Sequence, residues 1–279
     1  MRTEWNIVVQ RGQVNYKYLV LEYHLFGGLI LSILVENISF ESEGYRLLGR
    51  IYRPRAEGRF PAVVLCHGYP GDNKNMDLAE ELAFNNVVSL VFYYRGAWGS
   101  EGTFSLRGLD PSTRDAIKFL ASQPFVDPER LGLIGYSMGA VPTAKRLSED
   151  PRLKVGVFIS PAADLRPLAS ERVLETIVPV FLNMGKGKLR GLSADLLRSE
   201  LPWVLANLNP VEVIRDVRVP IMVVAGSKDN LTPPETCRAL YEAVSGPKKW
   251  ILIEGADHDY MEHRIPLINS VLQWLKDHL

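Results

Sequence analysis

Residues 131–147 read LGLIGYSMGAVPTAKRL. The segment begins with a short apolar run typical of a buried strand and ends in a helical pattern, and Ser137 stands at the junction between Gly135 and Gly139. A sharp turn from strand to helix crowds the chain two residues either side of its apex, and glycine relieves that crowding. The amides that open the helix also stabilise negative charge at the apex. The pattern predicts an activated serine, and its alternative interpretation is an ordinary glycine-flanked turn.

Short apolar runs alternate with longer helical patterns on both sides of this junction. Such alternation is typical of βαβ units, so the sequence predicts an α/β fold in which helices cover both faces of a mostly parallel sheet. The predicted strands are 62–66, 87–94, 131–135, 155–160, 221–226 and 250–254. The predicted helices are 75–84, 112–122, 138–148, 234–244 and 265–275. Two more runs, 38–41 and 45–52, flank a Ser-Glu-Gly turn and predict an antiparallel hairpin at one sheet edge.

The segment 161–219 is far longer than the dozen or so residues that a crossover between parallel strands needs. Its apolar residues recur with roughly helical spacing, so we expect a small helical cap at 162–215, inserted in a sheet domain that spans 32–279. Residues 1–31 fit neither pattern and are left as an unassigned N-terminal extension. Four apolar cap residues are candidates to line a substrate pocket, although each also suits packing within the cap. They are Val178, Phe181, Leu182 and Trp203.

A serine nucleophile needs a general base, and histidine has the suitable pKa. His258 follows a predicted strand, at the carboxyl edge where α/β sheets gather their ligands, so it is the predicted base, with a solvated loop histidine as the alternative. The other four histidines, His24, His67, His263 and His278, stand in less suitable places. Asp229 leaves the preceding strand at the same edge and is the predicted acid. Asp164 competes for that role, and a helix N-cap is the alternative role of Asp229.

Acyl transfer also needs hydrogen-bond donors for the developing oxyanion. One expected donor is the amide of Met138, directly after the serine. The other is expected from the loop HGYPG at 67–71, where Pro70 has no N–H and Tyr69 is the candidate. A purely structural turn is the alternative for this loop.

Together these positions resemble the α/β-hydrolase superfamily, in particular its serine esterases and the catalytic domains of acylaminoacyl-peptidase-like and dipeptidyl-peptidase-like enzymes. The resemblance covers residues 36–279 and rests on the loop 67–71, the stretch YRGAWGSEG at 94–102, the serine turn, Asp229 and His258, in the family's order. It implies an eight-stranded, mostly parallel sheet, a cap between the sixth and seventh strands, and hydrolysis that uses neither a metal nor another cofactor.

An apolar cap favours an acyl or alkyl group, so the expected activity is that of a carboxylesterase acting on esters of short to medium acyl chain. The alternatives are a serine aminopeptidase or acylaminoacyl-peptidase, and a non-catalytic binder of small molecules. A peptidase needs a group to hold the peptide amine or acyl amide. The cap offers Glu171, Glu175, Asp195 and Glu200, which equally suit a solvated helix face.

The chain has 279 residues, 47% of them hydrophobic, with 32 Lys and Arg against 32 Asp and Glu. This composition predicts a globular protein that does not bind nucleic acid. The two cysteines are expected to be reduced. The longest apolar run, 25–35, is shorter than the roughly 20 residues of a membrane helix, so we expect no integral membrane segment and a cytoplasmic location. The expected partner is a small ester or short peptide, and a homodimer is left open.

Overall fold

The computed structural model describes residues 2–10, 13–24, 30–71 and 75–279. Its strands, in chain order, are β1 (Arg2–Gln10), β2 (Gln13–His24), β3 (Ile30–Ser42), β4 (Tyr45–Pro54), β5 (Phe60–Cys66), β6 (Val88–Phe92), β7 (Val126–Tyr136), β8 (Leu153–Ile159), β9 (Ile221–Gly226) and β10 (Lys248–Ile253). Its helices are α1 (Met76–Phe84), α2 (Leu109–Ala121), α3 (Ala140–Glu149), α4 (Glu171–Gly185), α5 (Ala194–Leu208), α6 (Pro210–Val213), α7 (Pro234–Ala243) and α8 (Arg264–His278).

All ten described strands belong to one sheet, in the order β1-β2-β3-β4-β6-β5-β7-β8-β9-β10. In this order, the neighbouring strands from β1 through β4 to β6 pair antiparallel. The neighbouring strands from β6 through β5 to β10 pair parallel. Strands β5, β7, β8 and β9 are therefore central, and their carboxyl ends meet at one edge of the sheet. The expected α/β fold with a mostly parallel sheet is confirmed.

Side chains of each central strand point alternately to two separate apolar cores. In β5, Val64 packs in a core with α2, α3 and α7, whereas its neighbours Val63 and Leu65 pack in a second core with α1 and α8. Because both faces are covered, the strand is apolar without a break. The helices on both faces thus follow from the runs of buried residues that predicted the strands.

The N-terminal part of the chain adds two strands to the eight expected. The backbone of β1 pairs with β2, and β2 pairs with β3 from Leu19 opposite Val35 to His24 opposite Ile30. The predicted hairpin is present as β3 and β4, and its turn holds Glu43 at φ 49° and Gly44 at φ 78°. Its placement at a sheet edge was wrong, because β2 covers β3 and β6 covers β4. The apolar run 25–35 falls partly outside the described residues, which omit 25–29.

The long segment between β8 and β9 contains α4, α5 and α6. Helix α5 begins after Ser193, whose side chain accepts a hydrogen bond from the amide of Leu196, 3.1 Å away. Its buried residues include Leu197, Leu201, Val204 and Leu208, and the last two join the core around α2 and α3. The segment is therefore packed onto the same face of the sheet as α3, the helix that follows Ser137.

Two further observations concern the chain as a whole. Both cysteines, Cys66 and Cys237, are buried and unpaired with each other, as expected for reduced thiols. Burial raises the pKa of Cys66 to about 11 and that of Cys237 to about 12, so both remain protonated thiols at neutral pH. None of the helices in the described ranges is long and apolar enough to cross a bilayer.

Candidate active site

Ser137 sits at the turn between β7 and α3 in a backbone conformation unusual for a residue with a side chain. Its φ is 52°, in the left-handed region, while Tyr136 before it is still extended. Both flanking glycines are sterically required. A Cβ at Gly135 would lie 2.7 Å from Thr143 Oγ1, and one at Gly139 would overlap the carbonyl oxygen of Cys66. The turn is therefore strained and tightly packed, as in sites where a side chain must be presented at the end of a sheet.

The loop that follows β5 passes directly beside this turn. A Cβ at Gly68 would lie 3.0 Å from Ser137 Cβ, tighter than nearly all Cβ contacts in proteins, so the absence of a side chain at Gly68 favours this close approach. Tyr69 follows Gly68 in the chain, and Met138 follows Ser137; both are half-buried. The structure thus brings the two segments that carry the candidate oxyanion donors together.

His258 and Asp229 form a hydrogen-bonded pair at the same edge of the sheet. His258 Nδ1 lies 2.8 Å from Asp229 Oδ2, and the Asp229 residue is only 2% exposed. The other carboxylate oxygen, Oδ1, accepts hydrogen bonds from the amides of Leu231 at 2.9 Å and Thr232 at 2.8 Å. Burial alone raises the pKa of Asp229, but the hydrogen bonds from His258 and the Thr232 amide outweigh it and lower the pKa to about 2. Asp229 is therefore an anion held in a fixed orientation.

The loop carrying His258 is in contact with β7, the strand that ends just before Ser137. The hydroxyl of Tyr136 lies 3.0 Å from the carbonyl oxygen of His258 and 3.1 Å from Asp259 Oδ1. The Tyr136 and His258 rings are 5.2 Å apart between centroids. Three segments remote in sequence, around 137, 229 and 258, therefore converge at one edge of the sheet.

Asp164, the competitor of Asp229, is engaged elsewhere. Its carboxylate pairs with Arg166 at 2.6 Å and accepts a hydrogen bond from Asn209 at 3.2 Å. The hydrogen bond from Arg166 holds the pKa of Asp164 below its ordinary value. Of the two carboxylates, the structure places Asp229 against the His258 imidazole.

The other histidines have separate surroundings. His67 is buried with its ring 4.3 Å from that of Tyr94, between centroids. His263 immediately precedes α8, while His278 Nδ1 lies 2.8 Å from the carbonyl oxygen of Trp274. The side chain of His24 lies outside the described residues. Over the described part of the chain, no group of three or more His, Cys, Asp and Glu side chains is arranged to hold a metal ion.

The candidate pocket residues differ in their surroundings. The Phe181 ring packs 4.8 Å from the Tyr69 ring, and the Tyr69 hydroxyl donates a hydrogen bond of 2.5 Å to the Phe181 carbonyl oxygen. On the same helix, Val178 is buried and Leu182 is half-buried. Trp203 on α5 is 38% exposed, and the Arg107 guanidinium lies 5.1 Å from its ring centroid. Phe181 is thus in direct contact with Tyr69, in the loop beside Ser137.

Glu200, one of the four acidic cap residues, anchors the cap rather than facing solvent. Its carboxylate accepts hydrogen bonds from the Ser105 hydroxyl at 2.5 Å and from the Leu106 amide at 2.7 Å. The residue is 9% exposed. Both of its oxygens are therefore already occupied by the loop that precedes α2.

Sequence reasoning missed Thr232, whose hydroxyl contacts both members of the His258 and Asp229 pair. Thr232 Oγ1 lies 2.8 Å from Asp229 Oδ2, 3.2 Å from His258 Nδ1 and 3.1 Å from the Ser160 carbonyl oxygen. A signal was present, because Asp followed three residues later by Thr is a spacing at which the side chains and the turn backbone hydrogen-bond to one another.

The sequence is similar to those of known proteins. A sequence profile described as the Alpha/beta hydrolase family matches residues 63–268. The chain is 29% identical over 218 residues to an uncharacterized protein of Mycobacterium tuberculosis, covering 78% of this chain and 69% of that one. It is 22% identical over 267 residues to a thiohydrolase of Aspergillus aculeatus, covering 77% and 83% respectively.

Among solved structures, the acetyl xylan esterase from Paenibacillus sp. R4 is similar with a TM-score of 0.68 and 18% identity, covering 99% of this chain and 89% of that chain. At that identity the likeness concerns the fold alone. The profile match spans well over half of the 279 residues. The chain therefore belongs to the alpha/beta hydrolase family.

Proposed function

We propose that the protein is a serine hydrolase that cleaves carboxylic esters of short to medium acyl chain. Ser137 is the nucleophile, His258 the general base and Asp229 the acid that orients it. The observation that carries the proposal is the 2.8 Å hydrogen bond between His258 and the buried Asp229, formed at the sheet edge where Ser137 stands at φ 52°. A buried carboxylate bound to Nδ1 leaves Nε2 as the proton-accepting nitrogen and stabilises the imidazolium that forms.

In the first half of the reaction, His258 Nε2 takes the Ser137 hydroxyl proton while Oγ attacks the ester carbonyl carbon. The bond from that carbon to the leaving oxygen then breaks, and the imidazolium returns the proton to the departing alkoxide. A water molecule repeats the sequence on the acyl-enzyme, releasing the carboxylic acid and restoring the serine.

The amides of Tyr69 and Met138 are the proposed donors to the tetrahedral oxyanion. The close approach of Gly68 to Ser137 supports this role, because Tyr69 is the next residue of the loop. Phe181 packs on Tyr69, with Val178 and Leu182 on the same helix. An apolar wall of this kind favours an acyl chain over a charged group next to the carbonyl, and Trp203 is proposed as a more distant part of it.

The test uses p-nitrophenyl butanoate, p-nitrophenyl decanoate and alanyl p-nitroanilide, each with the natural protein and with Ser137→Ala. We expect turnover of the butanoate that exceeds turnover of the decanoate and disappears in Ser137→Ala. Anilide cleavage at rates rivalling the esters would favour a peptidase instead. Absence of any Ser137-dependent turnover would favour a non-catalytic binding protein.

Thioester hydrolysis is the second candidate, because the Aspergillus relative is named a thiohydrolase. The same serine chemistry serves both substrates, so a butanoyl thioester belongs in the panel. The acidic cap residues give the peptidase little support. One of its four candidate anions, Glu200, is committed to Ser105 and Leu106, and another, Glu171, lies 3.8 Å from Arg198.

A further inference from the structure

The turn that follows α4 carries an unusual concentration of positive charge. Residues 185–191 read GKGKLRG, and the side chains of Lys186, Lys188 and Arg190 are all exposed. Many basic residues of this chain lie within 4 Å of a carboxylate, among them Arg46, Arg53 and Arg152. In the described ranges, the three cations of the turn have no such partner. Because the chain as a whole has no net charge, this cluster is a local feature.

The backbone of this turn is held firmly in place. Arg190 donates its amide to the Gly96 carbonyl at 2.8 Å, and its own carbonyl accepts from the Phe104 amide at 2.9 Å. Leu189 between the cations is 7% exposed and forms a bridge with Ala97. The three cations therefore extend from a fixed support, so less conformational entropy is lost when they bind a ligand.

Trp98 joins the turn to the loop beside Ser137. Its amide donates to the Lys188 carbonyl at 2.9 Å, and its indole Nε1 donates to the Pro70 carbonyl at 2.9 Å. Pro70 is two residues beyond Gly68, a span of at most about 7 Å of chain, and Gly68 adjoins Ser137. The indole and the turn accordingly lie at the border of the candidate active site.

The conformation of Trp98 is costly for a structural residue. Its φ is 47°, in the left-handed region, and the side chain remains 37% exposed. The Lys188 ammonium lies 6.0 Å from the indole centroid, a distance at the outer limit of a cation–π contact. Strained backbone conformations of this kind cluster at active sites and ligand-binding positions.

We propose that Trp98, Lys186, Lys188 and Arg190 form a subsite that binds a carboxylate or phosphate carried by the substrate, away from its scissile carbonyl. The inference rests on the proposed hydrolase function and narrows its substrates to anionic esters or thioesters. The three like charges lie within five consecutive residues, and an anionic group that approaches them is attracted by all three. The indole supplies a flat apolar surface for the atoms next to the anion.

Two matched substrate pairs test this subsite. The first pair, p-nitrophenyl hydrogen glutarate and p-nitrophenyl pentanoate, differs by a carboxylate at the acyl end. The second, butanoyl-coenzyme A and S-butanoylpantetheine, differs by the phosphates on the leaving group and the adenosine attached to them. Each is measured with the natural chain, with the triple variant Lys186→Gln, Lys188→Gln, Arg190→Gln, and with a control that removes the same charge elsewhere. The control is Lys154→Gln, Lys248→Gln, Lys249→Gln, because these residues lie at the amino ends of β8 and β10, opposite Ser137.

In the triple variant, kcat/KM for the anionic member of at least one pair is expected to fall about tenfold, mostly through a rise in KM. This fall is expected to be smaller at high salt. The neutral member and the control variant stay within about twofold. The pair that responds identifies whether the anion belongs to the acyl or the leaving group. Equal effects on both members of both pairs, or no effect, would overturn the subsite while leaving the esterase proposal standing.

If no ester or thioester is cleaved, the subsite is tested by binding alone. Glutarate and coenzyme A are then titrated calorimetrically into the natural chain, the triple variant and the control. Binding that is lost only in the triple variant supports the subsite despite failure of the proposed function. Absence of binding of both ligands to the natural chain overturns it.

Discussion

Replacing Thr232 by valine removes one hydroxyl and nearly preserves side-chain volume. That hydroxyl lies 2.8 Å from Asp229 Oδ2, and the alternative acceptor, the Ser160 carbonyl oxygen, is 3.1 Å away. Because the carboxylate is charged and closer, we expect the proton to point at Asp229. A hydrogen bond to a charged group contributes about 1.5–3 kcal/mol. If about half of that holds Asp229 in line with His258 during proton transfer, kcat falls about four- to tenfold.

The assay is steady-state hydrolysis of p-nitrophenyl butanoate, with kcat and KM resolved separately. Thr232 lies on the Nδ1 side of His258, remote from the substrate, so KM is expected to stay within about twofold. Thr232→Ser keeps the hydroxyl and is the matched control, with at least half of the natural kcat. Urea unfolding of both variants separates positioning from stability. An unchanged kcat in Thr232→Val, or equal losses in Thr232→Ser, would refute the positioning role.

Three further outcomes are expected. Asp229→Asn lowers kcat for p-nitrophenyl butanoate by about a hundredfold or more, whereas Asp164→Asn stays within about threefold; the reverse order would exchange their roles. Acid unfolding reports the lowered pKa of Asp229, about 2 against an ordinary value of 3.8. The lowered pKa contributes about 2 kcal/mol to the free energy of unfolding; this contribution is complete above about pH 4 and is lost as pH falls toward 2. The urea midpoint therefore declines over that pH range more steeply in the natural chain than in Asp229→Asn. Gly139→Ala forces a methyl group onto the Cys66 carbonyl and costs about 3 kcal/mol by urea unfolding. Gly44→Ala, with open space around it, costs about 1 kcal/mol for its positive φ. Gly139 has a helical φ of −59°, so its variant carries no φ strain. Similar losses in both glycine variants would therefore show that the overlap with the Cys66 carbonyl is relieved at little cost.

The alternation of apolar runs and helical patterns was sufficient to predict the fold, because each central strand is buried on both faces and each helix on one face. It predicted β9 to the residue and the other core strands to within two residues at each end, except that β7 begins five residues earlier than predicted. The turn at Ser137 was also legible, since the steric need for glycine at 135 and 139 is local to the chain. The N-terminal strands were missed although Val14, Tyr16, Tyr18 and Val20 occupy alternate positions, a period typical of a strand.

Which side chains meet was decided by the tertiary structure. The sequence placed two aspartates after neighbouring strands, and only the packed loops bring Asp229 to 2.8 Å from His258 while Arg166 holds Asp164. Tertiary structure also decides the contact of Tyr136 with the His258 carbonyl oxygen and the hydrogen bond from the Trp98 indole to the Pro70 carbonyl oxygen. Periodicity and glycine positions are properties of near neighbours along one chain. Contacts across 28 to 122 positions depend on strand order and loop packing, which no local pattern records.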